Sequence, residues 1–211
     1  MTAGDGRQGQ GAGTPVPRSA SSVPAAGLPD YAELRCVSTF SFLVGASQPE
    51  ELVERAHKQG YRALALTDEC SVAGVVRAHV AAKKIGLKLL IGSQFSVAVP
   101  EPSCDDAPGP FSLGVLACNL NGYGNLCEFI TKLRRASEKG TYHLNLGDIA
   151  SDELADCVVV ASPVRGSTDV QLVGLARWLL THFTGRCWLG VELLRQLDDE
   201  MWLHKLREAS D

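Results

Sequence analysis

The sequence predicts an α/β fold in which β-strands and α-helices alternate along a single domain. The chain has 211 residues, of which 45% are hydrophobic, and this falls in the range of one globular domain. From residue 31 onward, short apolar runs typical of buried strands alternate with segments of helical periodicity. Because such alternation is typical of parallel sheets covered by helices, we expect six strands and five or six helices.

The first 29 residues are expected to lie outside this domain. They contain six Gly, four Pro and three Ser, and no aromatic residue. So little apolar surface does not offset the conformational entropy that is lost on ordering. We therefore predict a disordered tail over residues 1–29 and a folded domain over residues 30–211.

The first half of the domain is predicted to hold three strands and two helices. The strands are expected at residues 32–38, 63–67 and 87–91. A helix should begin at Pro49, because proline suits the first helical turn, and should end near Gly60, which tolerates left-handed backbone. A second helix is predicted over residues 72–85, with Val72, Val75, Val76 and Val80 on its buried face.

The second half continues the alternation. Strands are expected at residues 111–118, 157–161 and 187–193, and helices at residues 125–136, 170–183 and 199–209. A surface loop is predicted over residues 101–110, which contain three Pro. The Asn-Gly-Tyr-Gly run at residues 121–124 predicts a turn.

Composition excludes several classes of protein. The mean hydropathy is +0.02, and no apolar run approaches the roughly 20 residues that span a bilayer. The amino terminus carries no signal-peptide pattern, so we expect a cytoplasmic protein with no membrane partner. The seven Cys form no CxxC pair, which argues against a zinc knuckle or a disulfide framework. The net charge of -4 gives no overall attraction to nucleic acid.

Polar residues that could carry chemistry follow three of the predicted strands. In parallel sheets, functional groups collect at the carboxyl ends of strands, and those ends carry Arg35 and Val37, then Asp68 and Glu69, then Gln94. Asp68 and Glu69 are good metal ligands, whereas an arginine or a valine is not and a glutamine amide is weak. We therefore expect no metal ion, no cofactor and no catalytic residue, and we expect Asp68 to cap the next helix or bind backbone in the turn.

Four other features could carry chemistry, but each also has a purely structural explanation. Cys70 follows a strand-to-helix turn without a neighbouring base, so a small buried thiol is expected. Tyr123 could stack on a base but more often anchors a loop, and His143 is not expected to be catalytic. One concentrated basic stretch either contacts phosphate or forms a solvated helix end. Its members are Lys132, Arg134, Arg135 and Lys139.

Four segments carry a resemblance to a known family. They read YAELRCVSTFSFLVGAS with PEELVERA (31–56), GYRALALTDECSVAGVVRAH (60–79), LLIGSQF (89–95) and NGYGNL (121–126). In this order they resemble the start of bacterial error-prone DNA polymerases of the C family, relatives of the replicative polymerase III alpha subunit. The resemblance covers the chain from residue 31 onward and is strongest before residue 140.

This resemblance implies a polymerase-and-histidinol-phosphatase (PHP) domain, which is a (β/α) barrel. We expect most of that barrel to be formed by the chain up to residue 211. In metal-binding members a His-x-His motif stands where this chain has Arg35 and Val37, and a Glu stands where it has Gln94. The Thr-Asp-His motif of those members ends here in Asp68 and Glu69. Asp68 alone keeps its family identity, so the resemblance implies a degenerate metal site.

The resemblance also implies a function for the whole protein. The family carries out damage-induced translesion synthesis, DNA repair and replication through palm and fingers domains, in which magnesium supports nucleotidyl transfer. Because those domains are absent, we expect a fragment or truncated product with a structural role, packed against the remainder of the polymerase or other translesion-synthesis proteins. DNA would be reached through the full-length enzyme.

Two alternatives remain open from the sequence. One is a metal-dependent phosphoesterase or exonuclease that uses Asp68 and Glu69. The other is a DNA-binding module that uses Lys132, Arg134 and Arg135.

Overall fold

The computed structural model describes residues 30–99 and 107–210, in which six strands and five α-helices follow one another as the sequence predicts. The predicted tail 1–29 and most of the loop predicted at 101–110 lie outside the described residues. The strands are β1 (Ala32–Cys36), β2 (Ala63–Leu66), β3 (Lys88–Val97), β4 (Phe111–Ala117), β5 (Cys157–Pro163) and β6 (Cys187–Leu189). The α-helices are α1 (Pro49–Lys58), α2 (Val75–Ile85), α3 (Leu120–Arg135), α4 (Asp169–His182) and α5 (Asp199–Ser210).

The six strands form one curled sheet in the order β1-β2-β3-β4-β5-β6, a half-barrel whose two outer strands are not paired with each other in the described part. Neighbours run parallel at β1–β2, β2–β3 and β5–β6 and antiparallel at β3–β4 and β4–β5. The expectation of a parallel arrangement is therefore wrong around β4. Antiparallel neighbours need only a loop between them, and the sequence does predict a loop between β3 and β4.

Strand β3 is longer than the sequence predicts and changes partner along its length. Its first four residues pair with β2, and its last six, from Gly92 to Val97, pair with β4. A side chain at Gly92 would place its Cβ 2.5 Å from the carbonyl oxygen of Val115, so glycine permits this close crossing of strands. Because the strand continues past Gly92, Gln94 lies inside it instead of at its end.

The turn predicted at residues 121–124 is wrong, because these residues belong to α3. The side chain of Asn119 caps that helix by accepting a hydrogen bond from the Gly122 amide at 2.9 Å. A Cβ on Gly122 would lie 2.2 Å from the carbonyl oxygen of Asp156. Gly122 therefore serves the approach of the helix to the start of β5, and not a turn.

The predicted buried face of α2 is only partly right. The helix begins at Val75, which is buried, but Val76 and Val80 are exposed, while Ala78 and Ala82 face the sheet. Small residues take these positions because α2 packs closely on both α1 and the sheet. The apolar count of α2 predicted a helix correctly but not which of its faces is covered.

Two packed layers hold the half-barrel together. Helices α1 and α2 cover β2 through residues such as Val53 and Leu64, whereas α3 and α4 cover β3, β4 and β5 around Phe95 and Phe129. The rings of Phe95 and Phe129 meet edge to face with centroids 5.3 Å apart. Trp202 of α5 packs onto α4. No helix within the described ranges is long and apolar enough to cross a membrane.

Candidate functional site

Neighbouring strands bring together several of the polar residues that the sequence singles out. Arg35 lies in β1, Glu69 follows β2, and Gln94 lies in β3 beside Glu69, with which it forms an isolated parallel bridge. Val37 follows β1 and has no donor atom. Asp68 precedes Glu69, but its carboxylate contacts a different part of the molecule. The polar residues therefore divide into two sets of contacts.

Asp68 binds the loop that follows β1. Its side chain is buried, and its Oδ1 accepts hydrogen bonds from the Ser38 amide at 2.7 Å and the Ser41 hydroxyl at 2.8 Å. Its Oδ2 accepts from the Ser38 hydroxyl at 2.7 Å. Asp68 does not cap α2, whose N-cap is Gly74 without a side-chain hydrogen bond. It binds a distant loop instead of the backbone of its own turn, so this expectation is wrong.

Arg35 occupies the centre of the second set of contacts. Its Nε donates to Gln94 Oε1 at 2.9 Å, and its Nη2 donates to the Ser112 hydroxyl of β4 at 3.1 Å. Its Nη1 forms an ion pair with Glu192, beyond β6. One guanidinium thus links the first strand of the half-barrel to its third and fourth strands and to the segment after the last.

Glu69 completes this network on the other side of Gln94. Its Oε2 accepts a hydrogen bond from Gln94 Nε2 at 2.9 Å. Its Oε1 accepts from the Tyr142 hydroxyl, and the hydroxyl of Ser96 donates to the same oxygen at 3.2 Å. Both carboxylate oxygens of Glu69 are therefore engaged by neutral donors.

Burial shifts two pKa values in this network. Burial lowers the pKa of Arg35, while the negative charges of Glu69 and Glu33 act in the opposite direction. Burial and the hydrogen bond to Glu69 raise the pKa of Tyr142. Tyr142 therefore stays protonated and acts as a hydrogen-bond donor, and an arginine stays charged in proteins. Neither group is suited to accept a proton near neutral pH.

The part of the half-barrel where Arg35, Asp68, Glu69 and Gln94 lie, which we call the corner, does not fit a divalent cation. Such an ion needs several anionic or imidazole donors with free lone pairs, together with an open position for water. The oxygens of Asp68 and Glu69 are taken by hydrogen bonds, and the positive charge of Arg35 lies within the network. Within residues 30–99 and 107–210, no group of three His, Cys, Asp or Glu could hold a metal ion.

The remaining candidates lie elsewhere. Cys70 is buried, and burial raises the pKa of its thiol to about 11, which agrees with the predicted buried thiol. His143 is exposed, and its backbone amide donates to the Ser137 hydroxyl at 3.1 Å. Tyr123 lies in the first turns of α3, where a hydrogen bond with Cys127 raises its pKa. None of these side chains joins the corner network.

The basic stretch of α3 is not a uniform surface. Arg134 donates to the backbone carbonyls of Glu69 and Cys70, each at 3.2 Å, and its guanidinium lies 5.5 Å from the centre of the Tyr142 ring. Lys132 pairs with Glu153 at 2.5 Å. Arg134 therefore fastens the segment after β2 to α3, and DNA contact by Lys132, Arg134 and Arg135 stays a prediction.

Several residues of the site were missed by the sequence reasoning. Ser38 and Ser41 bind Asp68, and Tyr142 and Ser112 complete the network around Glu69 and Arg35. Ser38 ends the first predicted strand and Ser41 follows it, and their hydroxyls are not among the usual metal ligands. Tyr142 and Ser112 are far away in sequence and gave no local signal.

The fold and the corner together define a class of protein. It is an α/β half-barrel in which a polar network joins neighbouring strands. The chain belongs to the PHP domain family, whose model matches residues 33–167. An error-prone DNA polymerase of Ralstonia nicotianae is 50% identical over 184 residues, which cover 82% of this chain and 16% of that protein. One from Dechloromonas aromatica is 49% identical and covers 79% and 15%. The chain thus spans about a sixth of these relatives.

Solved structures support the same fold. A metal-dependent phosphoesterase from Bifidobacterium adolescentis aligns with a TM-score of 0.57 over 85% of this chain and 84% of its own, at 17% identity. An amidohydrolase from Chromobacterium violaceum, with bound sulfate and no metal, aligns with the same TM-score at 18% identity over 84% and 83%. At such low identity these similarities concern the fold alone, and they confirm the PHP-type fold that the sequence predicts, here as an incomplete barrel.

Proposed function

We propose that this chain is the amino-terminal PHP domain of an error-prone DNA polymerase that acts in damage-induced translesion synthesis and DNA repair in the cytoplasm. The observation that carries the proposal is the identity of 46% to 50% with error-prone polymerases of several bacteria over about four fifths of the chain. Nucleotidyl transfer would belong to palm and fingers domains outside this chain, where acidic side chains hold magnesium.

The role of the PHP domain itself is structural in this proposal. Its metal site is degenerate, because Arg35 supplies a fixed positive charge and Asp68 is committed to the loop after β1. A hydrogen-bonded network of Arg35, Gln94 and Glu69 ties three strand positions together in place of an ion. The domain therefore contributes a rigid body and not a second catalytic centre.

Exposed apolar side chains support packing against the remainder of the polymerase. Phe42, Leu43 and Val44 are 84%, 90% and 69% exposed at the tip of the loop that Asp68 holds. Leu194 and Leu197, after β6, are also exposed. Contiguous apolar surface of this kind marks an interaction site more often than a solvated surface.

The test is primer extension by the protein encoded by the whole reading frame that contains this chain. We expect magnesium-dependent extension past a template lesion. The variant Asp68→Ala should lose extension only in proportion to its lost thermal stability, whereas Glu54→Ala on the exposed face of α1 should change neither quantity. Absence of extension by the unaltered protein would contradict the polymerase assignment.

A second candidate function, a metal-dependent phosphoesterase, is favoured by the fold shared with the Bifidobacterium protein. The 211-residue chain would be incubated with manganese or zinc and either nitrophenyl phosphate or single-stranded DNA. We expect no turnover, because the carboxylates of Asp68 and Glu69 are already hydrogen-bonded. Metal-dependent turnover that Glu69→Gln abolishes without unfolding the protein would establish this function instead.

A further inference from the structure

Positive charge is concentrated in one part of the chain. Between Arg55 and Val99 lie seven of the 20 Lys and Arg but only two of the 24 Asp and Glu. Those two acids are Asp68 and Glu69, both engaged in hydrogen bonds after β2. The segment from Arg55 to Val99, which follows the three glutamates of α1 and contains α2 and β3, is thus basic within a chain whose net charge is -4. Such local asymmetry indicates an electrostatic footprint for a partner.

The fold gathers five of these cations at one rim of the sheet. Helices α1 and α2 both connect parallel strands, so their carboxyl ends lie beside the amino ends of β2 and β3. Arg62 immediately precedes Ala63, the pairing partner of Lys88. Lys58 and Lys84 line one groove between the two helices. We call this surface the basic rim; its members are Lys58, Arg62, Lys83, Lys84 and Lys88.

The charges of the basic rim face solvent. All five side chains are exposed. Within the described residues, one of them forms an ion pair: Arg62 lies 3.7 Å from Asp30. Helix dipoles account for cations at the ends of α1 and α2. They do not account for Arg62 or Lys88, which lie at the starts of strands. A helix-capping explanation therefore leaves part of the rim unexplained.

We propose that the basic rim binds the phosphate backbone of nucleic acid. Exposed lysines and arginines that lie close together attract phosphates and release counterions, which gives binding without sequence preference. The network around Arg35 and the exposed apolar loop lie at the opposite ends of the same strands. The domain thus holds DNA at one rim and the polymerase at the other. This inference rests on the proposed function for the choice of nucleic acid.

The proposal is tested by fluorescence anisotropy of the 211-residue chain with a labelled DNA of about 30 nucleotides at low salt. The variant Lys83→Glu/Lys84→Glu should weaken binding by about tenfold or more, and Lys83→Gln/Lys84→Gln should weaken it less. The slope of log affinity against log salt should fall by about one for each cation removed. Lys132→Glu/Arg135→Glu makes the same charge change on α3 and serves as the matched control, with binding expected to change less than about twofold.

Circular dichroism melting would show that each variant is folded, since all of the substituted side chains are exposed. Absence of DNA binding by the unaltered chain, or equal loss in the control variant, would overturn the proposal. Tighter binding of polyglutamate than of DNA would also overturn it, in favour of an acidic protein partner. Each of these outcomes leaves primer extension by the whole polymerase untouched, so failure here is distinguishable from failure of the proposed function.

Discussion

Arg134 is the side chain whose role differs most from its expected one. It donates to the carbonyls of Glu69, Cys70, Gly140 and Thr141, at 3.2 to 3.3 Å, and so joins α3 to two irregular segments. Removing it leaves these carbonyls without a charged donor. Arg134→Ala should lower the free energy of unfolding by about 2 kcal/mol, the range for hydrogen bonds to a charged group. Urea denaturation measures this value.

The adjacent residue provides a control for that measurement. Arg135 is exposed at the end of the same helix, so Arg135→Ala should change the free energy of unfolding by less than about 0.5 kcal/mol. Equal effects of the two substitutions would mean that the carbonyl contacts of Arg134 contribute nothing to stability.

Buried thiols predict a loss of stability at alkaline pH. Burial raises the pKa of Cys36, Cys70 and Cys157 to about 11 from an ordinary value of 9.0. The unfolded chain therefore releases these protons first, and the folded state binds more protons between pH 9 and 11. Their contribution is complete below pH 9 and is lost as the pH rises towards 11.

Urea midpoints between about pH 8 and pH 10 would measure this loss. That range avoids most of the contribution of Tyr31, whose pKa is raised to about 12 by its hydrogen bond to Glu33. The double variant Cys70→Ala/Cys157→Ala should show a flatter dependence on pH than the unaltered chain. A slope that does not change on substitution would exclude these thiols as its source.

The sequence predicts which polar residues matter at the corner, but not what they contact. The resemblance implies that Arg35 and Gln94 stand where metal-binding members of the family have ligands, and this predicts that an ion is poorly held. The hydrogen bonds of Asp68 to Ser38 and Ser41 are not visible, because they depend on how the loop after β1 folds back over β2. Contacts between distant segments are set by packing, and one sequence carries no direct signal of them.

Helix α3 contains two glycines with opposite consequences for its stability. Gly122 faces the carbonyl of Asp156, where a Cβ would lie at 2.2 Å, whereas a Cβ on Gly124 meets nothing within 4 Å. Gly122→Ala should therefore destabilise the protein by about 2 to 3 kcal/mol through overpacking. Gly124→Ala should stabilise it by about 1 kcal/mol, because alanine is the better helix former.

Thermal melting of the two variants would separate these effects. Both substitutions add one methyl group to the same helix, so the expected difference comes from surroundings alone. Destabilisation of similar size by both substitutions would imply that residues 121–124 form the turn predicted from the sequence and not a helix.

The order and number of elements were predictable from local patterns, whereas their directions and buried faces were not. Apolar runs and glycine caps are local, and they place α1 and β2 within a few residues of their actual bounds. The direction of β4 depends on how it pairs with β3 and β5, and the buried face of α2 depends on how it packs against α1. These properties arise only when elements pack together.

Across the whole molecule, the two ends of the half-barrel differ in chemistry. One end carries the basic rim, and the other carries the Arg35 network and the loop that holds Phe42, Leu43 and Val44. The buried side chain of Asp68 holds that loop in place, because both of its carboxylate oxygens accept hydrogen bonds from the loop. Rigid, apolar and exposed features together are typical of a preformed contact surface and not of a flexible loop.

This surface predicts how the isolated chain behaves in solution. A dye that fluoresces on apolar surfaces should bind the 211-residue chain, and Leu43→Asn should reduce its fluorescence clearly, because Leu43 is 90% exposed between Phe42 and Val44. Leu120 is 82% exposed but stands between two asparagines, so Leu120→Asn, the matched control, should have little effect. Asparagine also suits the left-handed backbone of Leu43, whose φ is 64°, so the fold should be unaffected. Equal reductions by both substitutions would show that the dye reports single exposed leucines and that the loop is not a contact surface.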